Sequence, residues 1–459
     1  MSQHVIGRNR IVTCGAVVTW LFSGWGCVDA PPSVDNGVAG VDGADGVDGV
    51  DGVDGVDGLD GGTSCEAIVP PNPDPDFVAG PKAASLAIFD ATRLVPIAID
   101  FPEGEWALFE STWKDPKWSQ PGVDEAWEAS KSSAWVRCSV TVEGETYADA
   151  ACRPRGSPEG WAKEKKPQIR MKFNEWNKDG RFRGLRSLSL EYQRRDAAPV
   201  RDFVAMRLMA DAGVPAPRVS HMRLTLDGLD RGVYQAIEPV DHEFLEDHFP
   251  DANGNLYEGG YLKKTNEENP SLCDMVAVND LVALEPLGGS HEAFVAAFTN
   301  LVDVDQVLRV MAAESVFPTG DNLSNGSTNF FYYARPDGRF VAIPWDLDGV
   351  LQGEEDNMVE VPPYAYDGPA DASVKLIALV PEVPTWRAVF EDALVEIRDG
   401  QFADLADWVE ARCAMLAPEL ETDEAWLAEH DASALQDDCA SIVRQVEKRT
   451  AYLKTALGR

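Results

Sequence analysis

Histidine is scarce: the 459 residues hold 6. Cysteine is little commoner at 8, and nowhere do two stand as Cys-x-x-Cys. These shortages weigh against a zinc site, whose ligands come as closely spaced cysteines and histidines. Basic residues are outnumbered as well: 40 lysines and arginines against 77 aspartates and glutamates leave a net charge of −37. A surface of that sign repels a polyanion, which excludes nucleic acid as a partner and favours solubility. The apolar run Ile11–Gly24 is too short to span a bilayer as a mature helix. Apolar residues are otherwise plentiful, at 44% with 13 tryptophans, enough for one large domain or two smaller ones.

Residues 1–27 read as an export signal, because Arg8 and Arg10 precede the apolar run, which ends in Ser23-Gly24-Trp25-Gly26-Cys27. A small residue before a cysteine resembles a bacterial lipoprotein cleavage site. A lipid on Cys27 is therefore the first expectation; ordinary cleavage nearby and a retained anchor are the others. With the lipid, the protein sits at the outer membrane or cell surface and meets the membrane only through that anchor. Without it, the protein is periplasmic or secreted. The cysteines beyond the signal are Cys65, Cys138, Cys152, Cys273, Cys413 and Cys439. An even number in an exported chain reads as disulfides of undetermined pairing. Cys138 and Cys152 flank a turn signal at Val142–Thr146 and could bridge neighbouring strands. Cys413 and Cys439 fall on two helical segments and could staple them. Residues 28–85 are low in complexity, with glycine at every third place from Gly37 to Gly61, mostly as Gly-Val-Asp. The period is collagen-like, but no proline supports a triple helix and the aspartates repel. We read a solvated spacer, with a trimerising stalk as the alternative. The pattern is not the nonapeptide calcium-binding repeat. The folded domain is expected over 86–459.

Strand patterns fall at Val95–Asp100, Ala134–Val142, Thr146–Cys152, Gln168–Phe173, Leu185–Leu190, Ser220–Leu226 and Gly232–Ile237. With a helical pattern at Val200–Ala212, they predict a mainly antiparallel sheet carrying one helix. Inside this half, the loop Arg153–Trp161 is followed by Lys163, Lys165 and Lys166. Loop glycines beside arginine and lysine can cradle phosphate; the alternative is a solvated basic edge strand. The second half is helical apart from Pro318–Gly349. There an aromatic strand, Asn329–Ala334, turns at Pro336-Asp337-Gly338 into a strand, Phe340–Pro344, that runs on into Trp345-Asp346-Leu347-Asp348. Asp321, with Asn322, Asn325 and Asn329, stands at one end of this hairpin; Asp346 and Asp348 stand at the other. Folding the hairpin brings them to a common edge. Oxygen ligands gathered this way suit a hard divalent cation, and Mg²⁺ held by a couple of carboxylates usually also holds a phosphate. The same residue types are ordinary turn formers, so spacing alone leaves both readings open.

From about Val95 to its end the chain resembles the CotH family of atypical protein kinases. The matching blocks are Arg155–Ser157, Lys165-Lys166-Pro167, Gly213–Arg218, Gly232–Gln235 running to Glu238–Asp241, Gly254–Tyr257, Asn329–Tyr333 and Ile343–Asp348. The resemblance implies an α+β, two-lobed kinase-like fold, with a strand-rich N-lobe over about 86–240 and a helix-rich C-lobe over about 241–459. It implies an exported or surface enzyme that transfers the γ-phosphoryl of ATP to Ser/Thr hydroxyls of a protein substrate, using Mg²⁺ or Mn²⁺. Asp321 then matches the catalytic aspartate that takes or orients the hydroxyl proton. Asn329 matches the loop asparagine that helps hold metal, and Asp346 the metal-binding aspartate, with Asp348 in support. Arg155, Gly156 and Ser157 match the phosphate-covering loop; Lys166, with Lys165 second, matches the phosphate-binding lysine. Glu238 to Asp241 match the connector against which adenine lies. Phosphoryl transfer needs positioning and charge neutralisation more than covalent chemistry, which agrees with this set. The chain departs from the pattern in lacking the usual kinase glycine loop and in carrying Thr319-Gly320 before Asp321, where family members often have tryptophan. Its helix Val200–Ala212 also has no glutamate for the lysine, leaving Asp202 or Glu191. Two other functions fit the same residues: a kinase-like surface binding protein or adhesin that transfers nothing, and a transferase using the site for another nucleotide reaction.

Overall fold

The computed structural model describes residues 80, 82–156, 158–161, 165–193, 196–259, 262–266, 290–317, 319, 321–324, 328–352, 359–364, 372–431 and 433–459. The expected export signal and glycine repeat, with Cys65, Ser157, Lys163, Cys273 and Asn325, lie outside the described residues.

Seven strands come first: β1 (Val95–Asp100), β2 (Val136–Val142), β3 (Glu145–Pro154), β4 (Ile169–Lys172), β5 (Ser187–Glu191), β6 (Val219–Leu226) and β7 (Leu229–Ile237). Where an antiparallel sheet was expected, they close into a barrel in the order β1-β2-β3-β4-β5-β7-β6. The closing pair is parallel, β1 on β6, from Val95↔Met222 to Ile99↔Leu226. Closure leaves no exposed sheet edge to recruit another chain. The turns Glu143-Gly144 and Asp227-Gly228 have positive φ at both residues, as the tight turn matched to strand twist requires. Burial follows the period of two: Val136, Cys138, Val140 and Val142 of β2 point inward. They join Ile97, Ile99, Met171, Leu190 and Leu224 in the barrel core.

The β1–β2 connection is long, running from Phe101 to Trp135. It carries α1 (Glu105–Trp113), a 3-10 turn at Pro116–Ser119 and α2 (Val123–Glu128). The short α3 (Pro158–Trp161) follows β3, and α4 (Arg201–Asp211) precedes β6. After the barrel come α5 (His242–His248), β8 (Asn255–Glu258), β9 (Leu262–Lys263), α6 (Glu292–Leu301), α7 (Val304–Val316), β10 (Phe330–Ala334) and β11 (Phe340–Pro344). These four strands form a second sheet, ordered β11-β10-β8-β9. Strand β10 is buried on both faces. Phe330 and Tyr332 enter a large core with α4 and α7, while Phe331 and Tyr333 enter a smaller one with Phe244 and Leu245. Burial on both faces explains why β10 reads as a continuous aromatic run without polar alternation.

The chain ends in helices α8 (Ala372–Leu379), α9 (Pro384–Asp399), α10 (Leu405–Leu420), α11 (Glu424–Leu427) and α12 (Ala434–Leu457). Strands thus gather early and helices late, which makes the fold α+β. Among the described residues no helix is long and apolar enough to cross a membrane.

Cys138 pairs with Cys152 across β2 and β3, and Cys413 with Cys439 between α10 and α12. The first bridge closes a separation of 14 residues. A loop of that size makes the bridge worth about 3 kcal/mol. The double variant Cys138→Ala/Cys152→Ala should lose that much in urea unfolding; an unchanged midpoint would contradict it.

Candidate active site

Helix α7 ends on a buried acid that shapes the loop after it. Glu314 Oε1 accepts the Leu323 N–H at 3.3 Å, and Oε2 accepts the Ser324 N–H at 2.9 Å together with the Ser324 hydroxyl. Two residues before Leu323 stands Asp321, half-buried, whose own N–H donates to Thr319 Oγ1 at 3.3 Å.

The β10–β11 hairpin supplies the second wall. Its register sets Phe330 opposite Pro344, so Asn329 and Trp345 flank the open end, and the Trp345 N–H donates to the Asn329 carbonyl at 3.0 Å. Asn329 (φ 56°) and Asp346 (φ 47°) both lie in the left-handed region, which asparagine and aspartate tolerate better than other side chains. The Asn329 amide Nδ2 donates to the Asp346 carbonyl at 2.9 Å and to the Asp321 carbonyl at 3.4 Å. A single side chain therefore ties together the backbones of all three positions. Gly349 closes the group: a Cβ there would lie 3.1 Å from Thr319 Oγ1 and 3.9 Å from Asp321 Cβ.

Behind Asp346 and Asp348 the barrel side brings charge. Asp202, in the first turn of α4 and fully buried, accepts the Leu347 N–H at 3.0 Å. Burial pushes its carboxyl up to about 6, opposed by that N–H and by the Arg155 guanidinium nearby. Arg155 follows β3 directly and makes a buried ion pair with Glu191 at the end of β5. Its N–H donates to the Gln168 carbonyl at 3.0 Å. Of the two acids left as partners for a cation, Glu191 pairs with Arg155, and Asp202 feels its charge.

Lys166 is committed elsewhere. Its buried ammonium donates to the carbonyls of Arg231 at 2.9 Å and Val233 at 2.8 Å, and to Asp423 Oδ2 at 2.8 Å. Those bonds take all three of its protons. Burial, opposed by Asp423, pulls its pKa down to about 8. Asp423 also accepts the N–H groups of Ala425 and Trp426 as the N-cap of α11, so Lys166 fastens the barrel to the C-terminal helices. The expectation that Lys166 faces the phosphates is corrected on this ground. Lys165 beside it is exposed. Gly156 has φ 84°, where its lack of a side chain is needed. Glu238 accepts from Arg218, through Nε at 2.9 Å and the backbone N–H at 3.0 Å. Asp241 caps α5, accepting from the N–H groups of Glu243 at 3.1 Å and Phe244 at 3.3 Å. Two features escaped the sequence reading. Asp423 gave no signal, standing 257 residues from Lys166. The pairing of Arg155 with Glu191 needed the strand order β3-β4-β5, which two strand patterns beside a basic loop do suggest.

A model of the family described as CotH kinase protein matches residues 153–453. The chain belongs to this family. Inner spore coat protein H of Bacillus subtilis (strain 168) is 28% identical, over 36% of this chain and 50% of its own length. The chain thus spans half the length of that curated relative. Among solved structures, the Helicobacter pylori proinflammatory kinase CtkA aligns at 8% identity, over 62% of this chain and 91% of its own, with a TM-score of 0.31. A likeness at that score carries no weight for the fold.

The family implies ATP and a divalent metal, and the donor types fit the metal. Asp321, Asp346 and Asp348 with the Asn329 amide oxygen offer only oxygen, the choice of a hard cation. Among the described residues no three His, Cys, Asp or Glu side chains form a ready cage. A Mg²⁺ bound through one or two carboxylates, with phosphate and water completing its shell, needs none.

Two measurements check this local architecture. Asp423→Ala leaves an ammonium buried without its countercharge and should cost about 3–5 kcal/mol in urea unfolding; a loss below 1 kcal/mol would remove the fastening role. Glu314 gives a pH signature, because burial pushes its carboxyl from 4.5 up to about 7. Between those values the folded chain keeps a proton that the unfolded chain has lost. Its contribution to stability is therefore full below the unfolded pKa and lost as pH rises through the folded one. Melting temperature should fall more steeply between about pH 5 and 8 in the wild type than in Glu314→Gln. Parallel curves would refute the assignment.

Proposed function

We propose that this chain is an exported protein kinase, with its active site between the β10–β11 hairpin and the Arg155 side of the barrel. The observation that carries the reading is the Asn329 amide, which joins the backbones of Asp321 and Asp346 on the side where Asp202 accepts the Leu347 N–H and feels the charge of Arg155. In this reading the barrel is the core of an N-lobe over about 86–240, and the helices and second sheet form a C-lobe over about 241–459.

The Asp321 carboxylate accepts the proton of a substrate Ser or Thr hydroxyl. That oxygen forms the new bond to the γ-phosphorus of ATP as the bond to the bridging oxygen breaks, and ADP leaves. Arg155 supplies fixed positive charge to the phosphates, the part that Lys166 was expected to play, and Glu191 and Asp202 hold its guanidinium in place. Gly156 and Ser157 continue the covering loop, with Lys165 on its rim. Asp346, Asp348 and Asn329 would hold Mg²⁺ or Mn²⁺, which neutralises phosphate charge when bound. Glu238 and Asp241, through the backbone they fix, shape the connector beside adenine. Export is supported by the cysteines: all four that are described are paired, as suits an oxidising compartment. A lipid on Cys27 and the spacer after it belong to the same proposal, as does a neutral or basic substrate protein drawn to a chain of charge −37.

Radiolabelled ATP with Mg²⁺ or Mn²⁺ and generic protein substrates tests the reading. The wild type should transfer label; Asp321→Ala and Asp346→Ala should each fall at least about 100-fold while melting as the wild type does. Label transfer surviving in both variants rules out this site. A wild type that binds ATP without transferring it is a binding protein on the same scaffold.

A further inference from the structure

Arg155 is held from behind by tryptophans. The indole N–H of Trp161 donates to the Arg155 carbonyl at 2.7 Å, with both groups buried. Trp161 stands edge-on to Trp118 and Trp127, with ring centroids 5.4 and 4.8 Å away. Trp118 and Trp127 are edge-on to each other at 5.9 Å. Two residues upstream on the same strand face, the Arg153 guanidinium lies 4.8 Å from the Trp135 ring and 5.5 Å from that of Trp127. The end of β3 is thus gripped by an aromatic cluster whose members come from two places. Trp118, Trp127 and Trp135 belong to the long β1–β2 connection, and Trp161 ends α3. Of these, only Trp161 falls inside the span 153–453 matched by the family model.

The backbone at Arg155 is fixed on its amide side as well. Its N–H bonds to Gln168, and Gly156 beyond it adopts a left-handed φ of 84°. A residue entering such a turn keeps its direction only if its carbonyl is fixed. The carbonyl in turn sets where the guanidinium meets Glu191 and the Asp202 side of the site.

We propose that Trp161 is a positioning residue for the nucleotide phosphates: it acts through the Arg155 carbonyl and is itself set by the Trp118 and Trp127 rings of the β1–β2 connection. This rests on the reading that Arg155 meets the phosphates of ATP. The connection therefore supports the nucleotide site from behind.

The test is equilibrium binding of ATP with Mg²⁺ to the whole chain, measured by calorimetry for the wild type and three variants. Arg155→Met should bind too weakly to measure. Trp161→Phe keeps an aromatic ring but loses the N–H. It should weaken binding roughly five-fold, the size of one neutral hydrogen bond, while still unfolding cooperatively. Trp176→Phe is the control. Its indole N–H donates to the Ala150 carbonyl of β3 at 3.3 Å, away from the loop, so its loss should leave ATP affinity alone. Wild-type affinity in Trp161→Phe, with binding lost in Arg155→Met, overturns this inference and leaves the reading of Arg155 standing. Equal weakening in Trp176→Phe and Trp161→Phe also overturns it, since general loosening then suffices. Wild-type affinity in Arg155→Met, or no ATP binding by the wild type, removes both.

Discussion

The pairing of Phe330 with Pro344 sets Asn329 beside Trp345 and so decides what the site contains. A slip of one residue would turn every side chain of the hairpin to the other face. Here that slip is blocked on both sides, because β10 is packed between two cores. The aromatic run that looks featureless in sequence is therefore what holds the register. With it fixed, Asn329 and Asp346 enter left-handed backbone, and one amide spans the gap between two loops. The strain of those two residues is carried by packing several residues away.

Charge is arranged on the same plan of burial and strict partnership. Arg155 pairs with Glu191, Arg201 with Asp438 at 2.6 Å, and Lys166 with Asp423 at 2.8 Å. Buried pairs of this kind add little net stability over an apolar pair, but each is costly to break from one side. Two of them cross from the barrel side to the C-terminal helices, at Asp423 and Asp438. The Tyr192 hydroxyl adds a third link by donating to the Ala425 carbonyl at 3.2 Å. The helices that end the chain are thereby fixed against the strands that begin the domain.

What could be read from sequence was what is local. The hairpin, its acidic ends, the tight turns and the helix before Asp321 all declare themselves within a few residues. Two of the disulfides that spacing made available are formed among the described residues. Barrel closure was hidden, because β1 meets a strand more than a hundred positions later and period-two patterns carry no record of partner or direction. Lys166 was misjudged for a related reason. A lysine beside a basic loop looks like a phosphate ligand, and nothing nearby announces a carboxylate from the far end of the chain. The tryptophans read as core, which they are; their grip on Arg155 exists only in three dimensions.

In the proposed reading an arginine meets the phosphates where many nucleotide enzymes keep a lysine, and that has a chemical consequence. A guanidinium stays protonated at any pH the fold survives and makes a poor nucleophile. Acylating nucleotide reagents that mark enzymes through a lysine amine would find no amine at Arg155. Nor would Lys166 answer them, since its ammonium lies 1% exposed against Asp423. A survey of phosphotransferases built on such labelling would have to reach this chain through another amine, of which the exposed Lys165 is one.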